Sequence, residues 1–191
     1  MVSYPIPVGA FVDAIQAEVD GISQRVRDEF GTLSTEQLTW QPEPERWGIG
    51  QCLVHLARIN ELYRKSFTVA FQNARARGLQ PRGPLKGSWF GRWFTRVVGP
   101  EGRPVKTPSI FHPRREVVES GALETFFAEQ VRVQSVLDEA RGIDLDRVRI
   151  TSPASRLLRF HACDAFQILV EHEKRHVAQA ERVAAAPGFP E

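Results

Sequence analysis

Four stretches of the chain carry apolar residues at alternating steps of three and four, the repeat of a helix that buries one face. The clearest covers residues 8–33, where a single stripe is formed by Phe11, Ile15, Val19, Ile22, Val26 and Phe30. The other three begin near residues 49, 120 and 158–160. Four amphipathic helices of this length predict an all-α four-helix bundle, and no segment carries the alternating pattern from which a sheet is built.

Polar segments separate the predicted helices. Gly31 ends the first helix, and Ser34 begins a short helical turn. Ser120 is the predicted N-cap of the third long helix, which Gly142 closes. The connection from there to the fourth helix is polar, with one short extended stretch at residues 148–150.

The composition is that of a globular protein, with 42% apolar and 25% charged residues. We expect one domain over residues 1–191. The sequence has no apolar run of about 18 residues, so we expect no transmembrane segment. The first residues lack the basic and apolar regions of a secretory signal, and the two cysteines, Cys52 and Cys163, show no metal-binding or disulfide spacing. These features predict a cytoplasmic protein.

Residues 78–115 form a long insertion between the second and third helices, rich in glycine and proline. Between residues 75 and 115 there are ten Lys or Arg residues and a single acid, Glu101. Residues 88–98 have the spacing of a short helix with one aromatic face. Three interpretations remain open: a lid packed on the bundle, which we favour; a contact with a partner, a second copy or a membrane surface; and, least favoured, a nucleic-acid patch.

Two histidines on the last helix, His172 and His176, are four residues apart, so they project from the same side one turn apart. His55 lies among the apolar residues of the second helix, on the side that faces the interior of the bundle. Facing helices of a bundle can bring these three residues together. A core histidine beside a solvated one, or a buried polar cluster without metal, would give the same spacing.

Three imidazoles are the donor set of an open metal site, which leaves a position for water or substrate. They suit zinc, nickel, iron or copper. Each ring needs a partner for its second nitrogen, and the candidates within a turn are Gln51, Glu171, Glu173 and Gln179. His161 lies three turns before His172 and is either a further pocket residue or, as we favour, a helix-start or surface histidine. No residue stands out as a general base.

Two segments resemble the DinB-like superfamily. One is Trp-x-Ile-x-Gln-Cys-Leu-x-His-Leu at residues 47–56, followed by Asn60 and Tyr63; the other is Glu-His-Glu-Lys-Arg-His-x-x-Gln at residues 171–179. The resemblance covers about a third of the chain, and the basic insertion has no counterpart in it. It implies an up-down-down-up four-helix bundle, a homodimer, and a metal held by His55, His172 and His176.

The resemblance also implies an activity, and the sequence leaves two alternatives open, an enzyme and a non-catalytic module. The expectation is a metal-dependent transferase or hydrolase, in which a divalent transition metal (zinc, nickel or iron) activates a low-molecular-weight thiol or water for attack on a small electrophilic substrate. The alternative is a non-catalytic dimeric binding or stress-response module that uses the insertion to contact a partner or a surface.

Overall fold

The computed structural model describes residues 1–103 and 107–191, except the side chains of residues 115–117, 119 and 120. This part of the chain is mostly helical. The helices are α1 (Val8–Phe30), α2 (Thr35–Thr39), α3 (Ile49–Ala76), α4 (Trp89–Val98), α5 (Arg115–Ala140) and α6 (Ala162–Ala184), with one 3₁₀ turn at Ser109–Phe111. A hairpin of β1 (Arg149–Thr151) and β2 (Arg159–His161) precedes α6. The insertion is described except for residues 104–106 and the side chain of residue 115.

The long helices α1, α3, α5 and α6 bury the stripes that the sequence predicts. All six stripe residues of α1, from Phe11 to Phe30, belong to the core, and the helix ends at Gly31 as predicted. Helix α2 begins with the predicted capping box, in which the Ser34 hydroxyl accepts from the Gln37 amide and the Gln37 side chain accepts from the Ser34 amide. Cys52 and Cys163 are free and buried.

Helix α1 packs on α5 and α6, and α3 packs on the same two helices. Gln16 donates to Asp138 at 2.9 Å, and Gln134 donates to Asp20 at 2.8 Å. Residue numbers increase along α1 while those of the contacting residues of α5 decrease, so these two helices are antiparallel.

The other contacts set the direction of α3. Arg64 contacts Glu129 at 3.1 Å, and Arg75 contacts Glu139 at 2.9 Å, so α3 and α5 run in the same direction. Against α6, the ring of Phe67 stacks on that of Phe166, 4.1 Å between centroids. Nearer the start of α3, His55 meets the later part of α6, so these two helices are antiparallel.

Helix α5 differs from the prediction at its start. It was expected to begin at Ser120, but the helical segment begins at Arg115 and is interrupted at Gly121, whose φ of 151° and ψ of 71° are not helical. Glycine adopts this conformation without the steric cost of a side chain, which is why the kink falls there. The side chain of Ser120, and so its predicted capping role, lies outside the described residues.

The hairpin corrects the expectation that the chain contains nothing from which a sheet could form. Ile150 pairs with Phe160 at the centre of β1 and β2, and only these two residues of the six are buried. Strands of three residues are too short to show the alternating pattern on which the prediction relied. The extended stretch predicted at residues 148–150 overlaps β1.

Helix α4 divides its aromatic residues between two environments. Phe90 and Phe94 face the ring of Phe160, at centroid distances of 5.7 and 4.9 Å. Trp89 and Trp93 remain 74% and 52% exposed. The sequence predicted one aromatic face, whereas the structure packs half of it against the hairpin and leaves the other half open. None of the described helices is long and apolar enough to span a membrane.

Candidate metal centre

His55 is held in one orientation by the insertion. Its side chain is 1% exposed, and Nδ1 lies 2.7 Å from the main-chain oxygen of Phe111. Because a carbonyl oxygen only accepts, Nδ1 carries the proton. The lone pair is therefore on Nε2, which is buried and has no hydrogen-bond partner within the described residues.

The structure brings the three predicted histidines together. The ring centroids of His172 and His176 are 4.5 Å apart. The centroid of the His55 ring lies 5.3 Å from that of His172 and 4.6 Å from that of His176. One nitrogen from each ring lies within 4.8 Å of the other two. The antiparallel packing of α3 and α6 produces this convergence.

The other two rings also offer nitrogens to this space. His176 donates from Nδ1 to the side-chain oxygen of Gln179 at 2.9 Å, which leaves its Nε2 as an acceptor. His172 Nδ1 is buried and has no partner in the described part of the chain. Buried polar atoms are normally paired, so two unpaired ring nitrogens in one cluster call for a ligand.

Burial keeps the rings neutral near pH 7. Removal from water lowers the pKa of His55 to about 4 and that of His176 to about 3. The neighbouring His112 lowers the pKa of His55 further, and His55 lowers that of His176 further. The pKa of His172 is well below its ordinary value for the same reason, with His176 and His55 adding to the effect. Neutral imidazole is the form that coordinates a metal.

Of the four predicted partners of the rings, Gln179 alone contacts one. Gln51 instead caps the start of α3, and Glu171 pairs with Lys174. Glu173 points away from the rings into a buried polar cluster, where it accepts from Asn60 at 2.5 Å and from Gln130 at 2.9 Å. Burial there raises the pKa of Glu173 to about 7, although both hydrogen bonds act in the opposite direction.

The histidines lie in a cavity of about 730 Å³. Its apolar wall is formed by Trp47, Ile59, Phe94, Val97, Val98 and Phe111. The Trp47 ring packs 4.7 Å from that of His55 and 5.9 Å from that of His176. Arg175 and Arg182 add positive charge to the lining.

His161 lies away from this cavity. It is the residue before α6 and is partly buried beside Asp146. The favoured interpretation as a helix-start histidine is confirmed, and the alternative of a further pocket residue is wrong.

The family model described as the DinB superfamily matches residues 19–180, which include all three histidines. The chain belongs to the DinB superfamily. No curated protein and no solved structure matches it. The superfamily assignment and the mostly helical fold therefore agree with the resemblance carried by residues 47–56 and 171–179.

In this DinB-superfamily chain the donor set fits a transition-metal ion. The rings are neutral near pH 7, and Nε2 of His55 and of His176 is the unprotonated nitrogen. Nε2 of His55 and Nδ1 of His172 have no hydrogen-bond partner among the described residues. The main-chain oxygen of Phe111 and the side chain of Gln179 fix two rings from behind, as the outer partners of metal-binding histidines do.

Proposed function

We propose that this protein is a metal-dependent enzyme in which His55, His172 and His176 hold one divalent transition metal, zinc, nickel or iron. The observation that carries the proposal is the convergence of ring nitrogens in an open cavity, two of them buried and without a partner in the part of the chain that the structure describes. Such an ion, when bound, supplies Lewis acidity that lowers the pKa of a coordinated thiol or water.

The proposed reaction is transfer of a low-molecular-weight thiol, or hydrolysis by water, at a small electrophilic substrate. The sulfur or oxygen forms the new bond with its own electron pair and gives its proton to solvent, while the leaving group departs with the electrons of the broken bond. A cavity of about 730 Å³ is of the size that holds small molecules, which favours a small-molecule substrate.

The residues of the chain contribute orientation and exclusion of water. Phe111 and Gln179 hold two imidazoles with their free nitrogens inward. Trp47 and Phe94 keep the cavity wall apolar, which strengthens electrostatic interactions inside it. Through Phe94 and Phe111, the insertion acts as the lid of the site.

The proposal includes the finer features implied by the superfamily. These are a single domain with an up-down-down-up four-helix bundle, a homodimer, and a cytoplasmic location. The antiparallel pairs α1–α5 and α3–α6 support the helix order. Two free cysteines, Cys52 and Cys163, are consistent with a reducing compartment.

Elemental analysis of the purified protein tests the proposal. The wild type is expected to carry about one metal ion more per chain than the variant His55→Ala/His172→Ala/His176→Ala. His112→Ala is the control, because His112 is exposed and bonds to the main chain at Thr107. Equal metal content in the wild type and the triple variant would overturn the proposal. A positive result is followed by a screen of thiols against electrophiles.

A second candidate function, a surface-binding module, is favoured by the outer side of α4. Trp89 and Trp93 are exposed one turn apart, and Arg92 and Arg96 beside them are exposed as well. Exposed indoles flanked by arginine suit an anionic lipid surface. This function does not need the three histidines, so the triple variant separates the two candidates.

A further inference from the structure

A second group of potential metal ligands lies at the other end of α6. Asp146 comes from the loop after α5, His161 ends β2, and Cys163 lies in the first turn of α6. Cys163 and His172 are nine residues apart on this helix, or about 14 Å at 1.5 Å per residue. The two groups are therefore separate sites.

The donor atoms of the second group already converge. The thiol sulfur of Cys163 lies 3.1 Å from Oδ1 of Asp146, and Nδ1 of His161 lies 3.6 Å from the same oxygen. All three donors are within 4.8 Å of one another. Nδ1 of His161 is buried and has no hydrogen-bond partner among the described residues, so it presents an unsatisfied nitrogen to the cluster.

The carboxylate of Asp146 is fixed by the start of the insertion. Its Oδ2 accepts from the main-chain amide of Lys86 at 2.7 Å, and its Oδ1 accepts from that of Gly87 at 3.1 Å. Both donors are main-chain amides, and they orient the carboxylate as the outer hydrogen-bond partners of metal ligands do. The side chains of Asp146 and His161 keep 23% and 17% of their surface exposed, which leaves a path for an ion.

We propose that Asp146, His161 and Cys163 form a second metal site, whose sulfur, nitrogen and oxygen donors suit zinc and similar divalent ions. Water completes the tetrahedron. The bound ion would join three elements, namely the loop that holds the insertion, the hairpin and the start of α6. This role is structural and independent of the proposed enzymatic function.

Binding changes the state of the thiol in a defined way. Without metal, burial and the nearby carboxylates of Asp164 and Asp146 raise the pKa of Cys163, so its proton stays on sulfur. The thiol then donates to Asp146, as the 3.1 Å contact indicates. On binding, the sulfur–hydrogen bond breaks, the sulfur keeps its electron pair for the ion, and one proton is released to solvent.

Cobalt(II) titration of the full chain tests the proposal, because a thiolate ligand gives cobalt a charge-transfer band in the near ultraviolet, which three imidazoles do not. The wild type is expected to show the band, and Cys163→Ser to lose it. Cys52→Ser is the matched control, since Cys52 is the other buried free thiol, and it should keep the band. The triple histidine variant should also keep it, so failure of this site and failure of the three-histidine site are distinguishable.

A second variant guards against a folding defect in Cys163→Ser. His161→Ala, at a partly exposed position, is expected to weaken cobalt binding at the thiolate site by at least about tenfold while the far-ultraviolet circular dichroism stays unchanged. Absence of the band in the wild type with cobalt in excess, or an unchanged band in Cys163→Ser, would overturn the proposal.

Discussion

The Nδ1 of His55 donates to the main-chain oxygen of Phe111 across 2.7 Å, and this bond links the second long helix of the bundle to the insertion. The two residues are 56 positions apart. The bond sets the tautomer of His55 and leaves its other nitrogen free inside the cavity. The insertion therefore helps to build the candidate metal centre, because it supplies both a wall and an orienting group.

The corresponding contact on α6 can be tested by mutation. Replacing Gln179 by Ala removes the oxygen that accepts from His176 Nδ1, so the ring loses its fixed orientation. We expect metal affinity to fall about 10- to 100-fold, as is typical for outer partners of metal ligands. Competition with a chromophoric chelator measures it. Gln179→Glu keeps an acceptor and should restore affinity; equal weakening in both variants would contradict an orienting role.

Acid should destabilise the metal-free protein through the three histidines. The pKa of His55 is lowered to about 4 by burial, while an unfolded histidine titrates near 6.5. Between these values the unfolded chain binds more protons, so the contribution of this histidine to stability is full above pH 6.5 and is lost as the pH falls toward 4. Urea unfolding with chelator present, from pH 7 to pH 4, measures the slope.

The triple variant His55→Ala/His172→Ala/His176→Ala is the comparison for this slope. It lacks the groups that titrate, so its stability should fall less over the same pH range. Parallel curves for the wild type and the variant would show that other groups cause the acid sensitivity.

What the sequence could predict about the site follows from local spacing. His172 and His176 are one helical turn apart, and His55 belongs to a helix whose apolar stripe is regular, so both elements could be recognised separately. The three histidines come together because α3 and α6 pack antiparallel, and for this packing the sequence offered only the family resemblance. The apolar stripes likewise identified the four long helices.

What the sequence could not predict comes from distant or main-chain contacts. The partner of His55 is a carbonyl oxygen, which every residue has, so no side chain marks Phe111 for this role. Glu173 lies beside His172 in sequence, yet it turns to Asn60 and Gln130 because a helix places adjacent residues about 100° apart. Which aromatic residues of α4 are buried depends on where Phe160 lies, because Phe94 packs on its ring. Phe160 belongs to the hairpin, which the sequence did not predict.

Glu173 should make the protein less stable as the pH rises. Burial raises its pKa to about 7 from an ordinary 4.5, so the contribution present below pH 4.5 is lost as the pH rises through 7. Glu173→Gln removes this titration. Asn60 Oδ1 is buried and has no hydrogen-bond partner among the residues described, and rotation of the Asn60 amide would let that oxygen accept from the side-chain amide that Glu173→Gln introduces.

We therefore expect Glu173→Gln to gain stability relative to the wild type between pH 5 and pH 8, measured by thermal unfolding of the metal-free protein. Glu181→Gln is a control on the same helix, where the carboxylate pairs with the half-exposed Arg25. A stability difference between Glu173→Gln and the wild type that stays constant over this range would contradict the buried titration.

The outer side of α4 gives the last prediction, which tests the surface-binding function. Vesicles containing phosphatidylserine should bind the wild type, and Trp89→Ala/Trp93→Ala should weaken binding at least about tenfold, because two exposed indoles lose their apolar contact. Val131→Ala, which truncates an exposed apolar residue on α5, should bind as the wild type does.

Co-sedimentation at low and moderate salt measures binding, and added salt should reduce it, since Arg92 and Arg96 contribute through charge. Equal binding to neutral phosphatidylcholine vesicles would contradict the electrostatic part, and no binding by the wild type would remove this candidate function.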